Sequence, residues 1–378
     1  MRKIEMVDLK SQYQNIKNEI DTSIQEVLDS TIFVKGGKVD LFKQRFAQYL
    51  NIKHVIPVGN GTDALMISLM ALDLHPGDEV IAPSFTFVAT AEVVALLGLK
   101  LVLVDVDPET FCLSLPEVEA AITENTKVII PVHLFGQNAD MESLLQLAEQ
   151  HNLYIIEDAC QSIGSYYTFS NGRKYHSGCM GHIGCTSFFP SKNLGCYGDG
   201  GAIFTNDDVL AKKMLSIANH GMKVRYQYER VGVNSRLDTI QAAILNVKLD
   251  HLDSYIASRV WAGEYYREHL KDVEWLRLPI VGKQTTHSYH QFTVIVDQYS
   301  RDELQSYLKE NGIPSMVYYP KPLHLQEAYQ AEEVEELPVS EFLADKVLSL
   351  PMHTELDEEQ LAYIVEKIKQ FPSQIIEK

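Results

Sequence analysis

SFFPSKNLGCYGDGGAIFT, residues 187–205, joins two short apolar runs through a glycine-rich stretch that carries a single lysine, Lys192. The flanking segments CTSFF (185–189) and GAIFT (201–205) read as strands, rich in aromatic and β-branched residues. They stand too close in sequence for a crossover helix, so the sheet that holds them is mixed. Lysine ordinarily keeps its ammonium in water. Here it sits among glycines, which let backbone approach another group closely.

Upstream, strands are expected at HVIPV (54–58), EVIAP (79–83), KLVLVDV (100–106), KVIIPV (127–132) and LYIIED (153–158). Helical patterns alternate with them; MESLLQLAEQHN (141–152) places Leu144, Leu145, Leu147 and Ala148 on one apolar face. The alternation predicts an α/β fold, a mainly parallel seven-stranded sheet flanked by helices. From about Asp238 the pattern changes to a long helical stretch, one helix or two in sequence. After it come a strand in YHQFTVIVD, a helix opened by Ser300 and Glu303 and closed by Gly312, a strand in SMVYYP and two more helices. We therefore expect a large domain over 1–245, with an N-terminal helical segment, and a smaller α+β domain over 246–378. QAEEVEEL (330–337) reads as a solvated acidic loop.

The 378 residues are 46% apolar and 22% charged, ordinary for a globular protein. A net charge of −18 argues against nucleic acid as a partner. No signal peptide or membrane-length apolar run is visible, and five cysteines without paired spacing fit reduced thiols. The expected location is the cytoplasm, and no metal-site spacing is present.

Four sites fall where an open α/β sheet places ligands, beyond the carboxyl ends of its strands. GNGTDAL (59–65) follows a strand and opens a helix, whose N-terminus suits a phosphate. The same residues satisfy a dinucleotide fingerprint, or serve as a plain turn and cap. In SFTFVAT (84–90), Phe85 and Phe87 alternate with polar residues, as core aromatics or with one ring in the cleft. Asp158 ends an apolar strand in EDACQS (157–162), where its carboxylate needs a cation or caps a helix. Lys192 is a surface lysine, a phosphate cation or an amine nucleophile. Together the four fit pyridoxal phosphate: a lysine to attach it, a carboxylate for its ring nitrogen, an aromatic face and a helix N-terminus for its phosphate. A nicotinamide-dependent oxidoreductase would use the glycines but leave Asp158 and Lys192 without a task.

The motifs NGTDAL, PSFTFVATAE, IIEDACQSIG, SFFPSKNLGCYGDGGAIFTND and GVNSRLDTIQAAIL resemble those of the DegT/DnrJ/EryC1/StrS nucleotide-sugar aminotransferases, fold-type I pyridoxal phosphate enzymes. The likeness spans nearly the whole chain. It implies that Lys192 attaches the cofactor, Asp158 holds the pyridinium nitrogen and Gln161 contacts the phenolic oxygen. It further implies that Gly61, Thr62 and Ser187 bind the phosphate, that Phe87 stacks on the ring, and that Asn234 reaches the phosphate of a neighbouring subunit. A homodimer with shared sites follows from that likeness. Sugar dehydratases of this fold carry histidine at the lysine position, so Lys192 implies amino transfer, with L-glutamate as donor and a nucleotide-linked keto sugar as acceptor.

TSFFPSKNLGCYGDGGAIFTND and RVGVNSRLDT are most similar to WbpE-like enzymes, which act at C3 of a UDP-linked 3-keto-N-acetylglucosaminuronic acid for surface polysaccharide or lipopolysaccharide. Arg236 would then face the sugar carboxylate. Where the family usually has His-Tyr-Pro, this chain has Tyr318-Tyr319-Pro320, at a sugar-contacting position. The alternatives are a C4 aminotransferase for a dTDP- or UDP-4-keto-6-deoxy sugar, and a regulatory relative that binds cofactor without turnover.

Overall fold

The computed structural model describes residues 2–329 and 336–376, with side chains through residue 372. Its centre is a seven-stranded sheet of β1 (His54–Val58), β2 (Glu79–Pro83), β3 (Lys100–Val104), β4 (Thr126–Ile129), β5 (Tyr154–Asp158), β6 (Ile183–Ser187) and β7 (Gly201–Thr205). Their spatial order is β1–β7–β6–β5–β4–β2–β3. Only β7 runs against its neighbours, pairing Ser187 with Gly201 on one side and Val58 with Gly201 on the other. The sheet is thus mixed and mainly parallel, and the reversal lies where the short 188–200 connection demands it.

Alternate residues of each strand enter opposite cores, as the two-residue period requires. Ile56, Ile156, Ile183 and Ile203 pack against helices Gly61–Met70 and Asp208–Ile217. Val55, Ala202 and Phe204 face Phe42, Phe46, Leu245 and Leu252 on the other side. Every parallel strand ends at one edge of the sheet, and the antiparallel β7 begins there. That edge therefore collects the residues after β1, β2, β5 and β6.

The stretch after Asp238 is one continuous helix, Thr239–Leu270, of 32 residues and about 48 Å at 1.5 Å per residue. Its first half packs on helices Lys17–Ser30 and Gly37–Leu50. Its second half places Ala262, Tyr266 and Leu270 in a separate core with Phe292, Val294, Leu348 and Ile364. The expected division at 245/246 falls inside this helix, and Ile4, from the opposite end of the chain, packs into the second core.

That second core rests on an antiparallel sheet of Leu276–Arg277, Phe292–Val296 and Val347–Leu350. Ser300 caps the following helix, accepting from the Glu303 amide at 3.3 Å, and Gly312 beyond its end takes φ +72°. SMVYYP is not a strand: Met316 makes an isolated bridge to Ser349, and Tyr318 and Tyr319 turn into a cavity instead. Val347–Leu350, directly after a helix and too short to show alternation, takes the sheet position. Of the acidic stretch 330–337, residues 330–335 lie outside the described residues. Among the described residues no helix is long and apolar enough to cross a membrane.

Candidate active site

At the carboxyl edge of the sheet lies a cavity of about 620 Å³. Gly61, Thr62, Phe87, Asp158, Gln161, Ser187, Lys192, Tyr318 and Tyr319 all line it.

Asn60 caps helix Gly61–Met70 by accepting from the Asp63 amide at 2.7 Å. The Gly61 and Thr62 amides, first of that helix, are left for an anion, with the positive end of the helix dipole behind them. Glycine is required at 61: a Cβ there would stand 2.8 Å from Ser187 Cβ and 3.0 Å from Cys160 Sγ. Gly201 is equally constrained, since its Cβ would meet the Asn60 carbonyl oxygen at 2.4 Å. The loop is held from behind by Ser235, whose hydroxyl donates to Asp63 at 2.6 Å and accepts from the Gly59 amide at 2.9 Å.

Asp158 is buried, 6% exposed, and its two oxygens are divided between the Thr90 hydroxyl and the Cys160 amide, both at 3.1 Å. No helix starts after it; residues 160–164 form turns, which removes the helix-cap reading. The preceding residue, Glu157, points into the core. It accepts from the amides of Gly178, Met180 and Gly181 at 3.0, 2.6 and 2.5 Å and contacts His133 Nε2 at 2.8 Å. The Ala139 amide donates to His133 Nδ1, so the ring proton sits on Nε2 and faces the carboxylate. This set fixes the end of β5 and with it the direction of Asp158. Glu157→Leu strands three amides and an imidazole, and is expected to cost about 3–5 kcal/mol of stability. Urea unfolding measures it; a loss below about 1 kcal/mol would show that the set does not anchor the strand.

The two phenylalanines separate cleanly. Phe85 is fully buried against Phe111, Phe135 and Tyr319, whereas Phe87 is 54% exposed and lines the cavity. Gln161 is held at both ends, accepting from the Phe135 amide at 2.8 Å and donating to the Tyr319 hydroxyl at 3.0 Å. Lys192 follows a turn closed by its own amide on the Phe189 carbonyl at 2.9 Å. Burial holds its ammonium below the ordinary lysine range, while Cys160 and the Asp158 carboxylate oppose that shift.

Pyridoxal phosphate fits this donor set. An anion cradle that a Cβ would fill, a buried carboxylate, a lysine with a lowered pKa and an accessible aromatic face surround one volume.

Asn234 and Arg236 do not line the cavity. Asn234 is exposed, bridged to Asn219, and beside it Tyr226, Tyr228 and Val231 stand 71%, 59% and 85% exposed. The cavity also takes in residues that the sequence reading passed over: Cys160, Asp199, His290 and Gln291. The only local signal for the last two is a polar His-Gln pair at the head of an apolar strand.

The family model for the DegT/DnrJ/EryC1/StrS aminotransferase family matches residues 14–369. The chain is 49% identical, over 94% of its length and 96% of the other's, to the UDP-2-acetamido-2-deoxy-3-oxo-D-glucuronate aminotransferase of Pseudomonas aeruginosa. It is 47% identical to the pleiotropic regulatory protein of Geobacillus stearothermophilus, covering 97% of this chain and 98% of that one. Among solved structures, NtdA from Bacillus subtilis with bound cofactor PMP superimposes with a TM-score of 0.88 at 33% identity, over 95% of this chain and 82% of that one.

Proposed function

This chain belongs to the DegT/DnrJ/EryC1/StrS aminotransferase family, pyridoxal phosphate-dependent sugar aminotransferases, and from that premise we propose that it moves an amino group from L-glutamate to C3 of UDP-2-acetamido-2-deoxy-3-oxo-glucuronic acid. The observation that carries the site reading is the convergence of Lys192, Asp158 and the Gly61 helix N-terminus on one cavity. The relative from Pseudomonas aeruginosa, by its name, supports the sugar.

When bound, pyridoxal phosphate supplies an aldehyde that accepts amino groups and a ring that withdraws electrons from the reacting carbon. Lys192 would hold it covalently, and Lys192 Nζ, when free, would carry the proton to and from the donor carbon. The lowered pKa of this amine suits the task, because a base must be neutral to accept a proton. Asp158 holds a proton on the ring nitrogen, its own oxygens fixed by Thr90 and the Cys160 amide. Gly61 and Thr62 amides and the Ser187 hydroxyl bind the phosphate, Phe87 covers the ring face and excludes water, and Gln161 meets the phenolic oxygen. Tyr318 and Tyr319 border the sugar.

In this proposal two copies form a homodimer with shared sites, Asn234 reaching the phosphate and Arg236 the sugar carboxylate of the partner's cavity. The exposed segment around Tyr226, Tyr228 and Val231 supports it. Among the described residues no arginine lines the cavity, which favours a second reading, a C4 aminotransferase for an uncharged 4-keto-6-deoxy sugar.

The test is a half-reaction. Protein charged with glutamate loses its visible absorbance, and is then offered the 3-keto uronate or a 4-keto-6-deoxy sugar nucleotide. Return of colour with the first supports the proposal. Return with the second alone moves the reaction to C4, and no return with any keto sugar would leave a regulatory role of the kind the Geobacillus relative's name implies.

A further inference from the structure

Lys248, on helix Thr239–Leu270, is a lysine that the chemistry above does not use. It is 1% exposed, and its helix neighbours Leu245, Leu249 and Leu252 belong to an apolar cluster with Phe188 and Leu194. Its Nζ donates to the Gly195 carbonyl at 2.7 Å and stands 5.0 Å from the centre of the Tyr197 ring. No carboxylate pairs with it among the described residues. Burying an ammonium under those terms is costly, and an apolar side chain of similar length would fill the space without the penalty. The ammonium is therefore kept for its bond.

Gly195 lies three residues beyond Lys192, in a connection folded tightly on itself. A Cβ on Gly195 would stand 2.4 Å from the Pro190 carbonyl oxygen, the Cys196 amide donates to the Phe188 carbonyl at 2.8 Å, and Asn193 Nδ2 donates to the Ile163 carbonyl at 3.0 Å. Gln241 accepts from the Tyr197 amide at 2.9 Å. Gln241 and Lys248 are seven residues apart, on the same helix face, so one stripe of the helix grips two neighbouring points of the connection.

We propose that Lys248 is a positioning residue for the amino-transfer reaction: by holding the Gly195 carbonyl it fixes the 188–200 connection and aims Lys192 into the cavity. The proposal rests on the reading of Lys192 as the reacting amine. Burial pushes the Lys248 pKa down to about 8; the Cys196 thiol opposes this and the Arg259 guanidinium adds to it, with the Tyr197 phenol the remaining titratable group against it. As pH rises through about 8 the ammonium loses its charge, and the bond to the carbonyl weakens from charge-assisted to neutral.

The test uses full-length protein carrying Lys248→Met or Lys248→Gln. Three quantities are read: the melting midpoint, kcat and KM for the amino donor, and the rate at which pyridoxal phosphate becomes attached to Lys192 in cofactor-stripped protein. Attachment is read after borohydride reduction by the mass of the Lys192 peptide. Lys248→Met is expected to melt near the wild-type midpoint, because relief of the buried ammonium is set against the unpaired Gly195 carbonyl. Its kcat and attachment rate should fall ten- to hundredfold, with KM within twofold, as small misplacements of a reacting group do. Lys248→Gln, which keeps a donor one atom short of the Nζ position, should recover part of both rates. Wild-type rates in a folded Lys248→Met protein overturn the proposal. If that variant does not fold, Lys248→Gln decides: kcat and attachment rate at least threefold below wild type with KM within twofold support the proposal, and wild-type rates overturn it. Lys192→Ala runs alongside, and turnover in that variant would defeat the reading of Lys192 whatever Lys248 does.

Discussion

Lys192→Ala is expected to lower kcat by at least about 10³-fold, the combined effect of losing covalent attachment and a general base. Among the described residues no other lysine lines the cavity, so none of them supplies a second amine there. The variant should also lack the colour of lysine-bound cofactor while still binding the phosphate end through the Gly61 helix. Stability should not suffer, because the lysine's depressed pKa marks its ammonium as a burial cost. Folding to pH linkage has a definite sign here: unfolded chains hold this proton to higher pH than the folded one, so the wild-type protein gains stability as pH rises toward the unfolded value, and the alanine variant loses that gain. Turnover within tenfold of wild type would remove Lys192 from the chemistry.

Asp158→Asn is expected to lower kcat by about 10²–10³-fold, the range for losing one preorganised electrostatic partner of a reacting group. The amide oxygen can still accept from the Cys160 amide, and its NH2 can donate to the Thr90 hydroxyl, which reverses its role, so the melting midpoint should stay near wild type. What it cannot do is hold a proton on a ring nitrogen by charge. Steady-state turnover with cofactor in excess measures the effect. A kcat within threefold of wild type would mean that the carboxylate only closes the turn at Cys160.

Much of the fold was legible because its signals are local. β-Branched runs ending in glycine or a carboxylate mark strands that stop at a ligand edge, and the short span between Phe189 and Gly201 forces the reversed strand. What the sequence left open or misread shares a cause, which is that long-range packing decided it. SMVYYP has strand composition, but its tyrosines serve the cavity, and Ser349 comes from elsewhere to meet Met316. Helix Thr239–Leu270 shows no single apolar stripe, because its two halves bury different faces in different cores, so its continuity could not be read. His290 and Gln291 reach the cavity only because the second core is docked beside the first. Lys248 looks like an ordinary polar position on a helix, and nothing before or after it announces burial. Asn234 and Arg236 rest on resemblance, which for Asn234 implies a place at a neighbouring subunit's phosphate and not in its own cavity.

The helix shared by the two cores bears on how this protein can be cut for study. A gene fragment ending at residue 245 would keep the sheet, Asp158 and Lys192, and so would look like a self-sufficient cofactor-binding piece. It would stop within the second turn of the helix and discard Lys248, Leu249 and Leu252 together. The 188–200 connection would lose both its cation and part of the apolar floor beneath Phe188. No cut within the helix serves, because its second half is buried in the other core, and the piece that carries the lysine and the rod that holds it in aim are one unit of design.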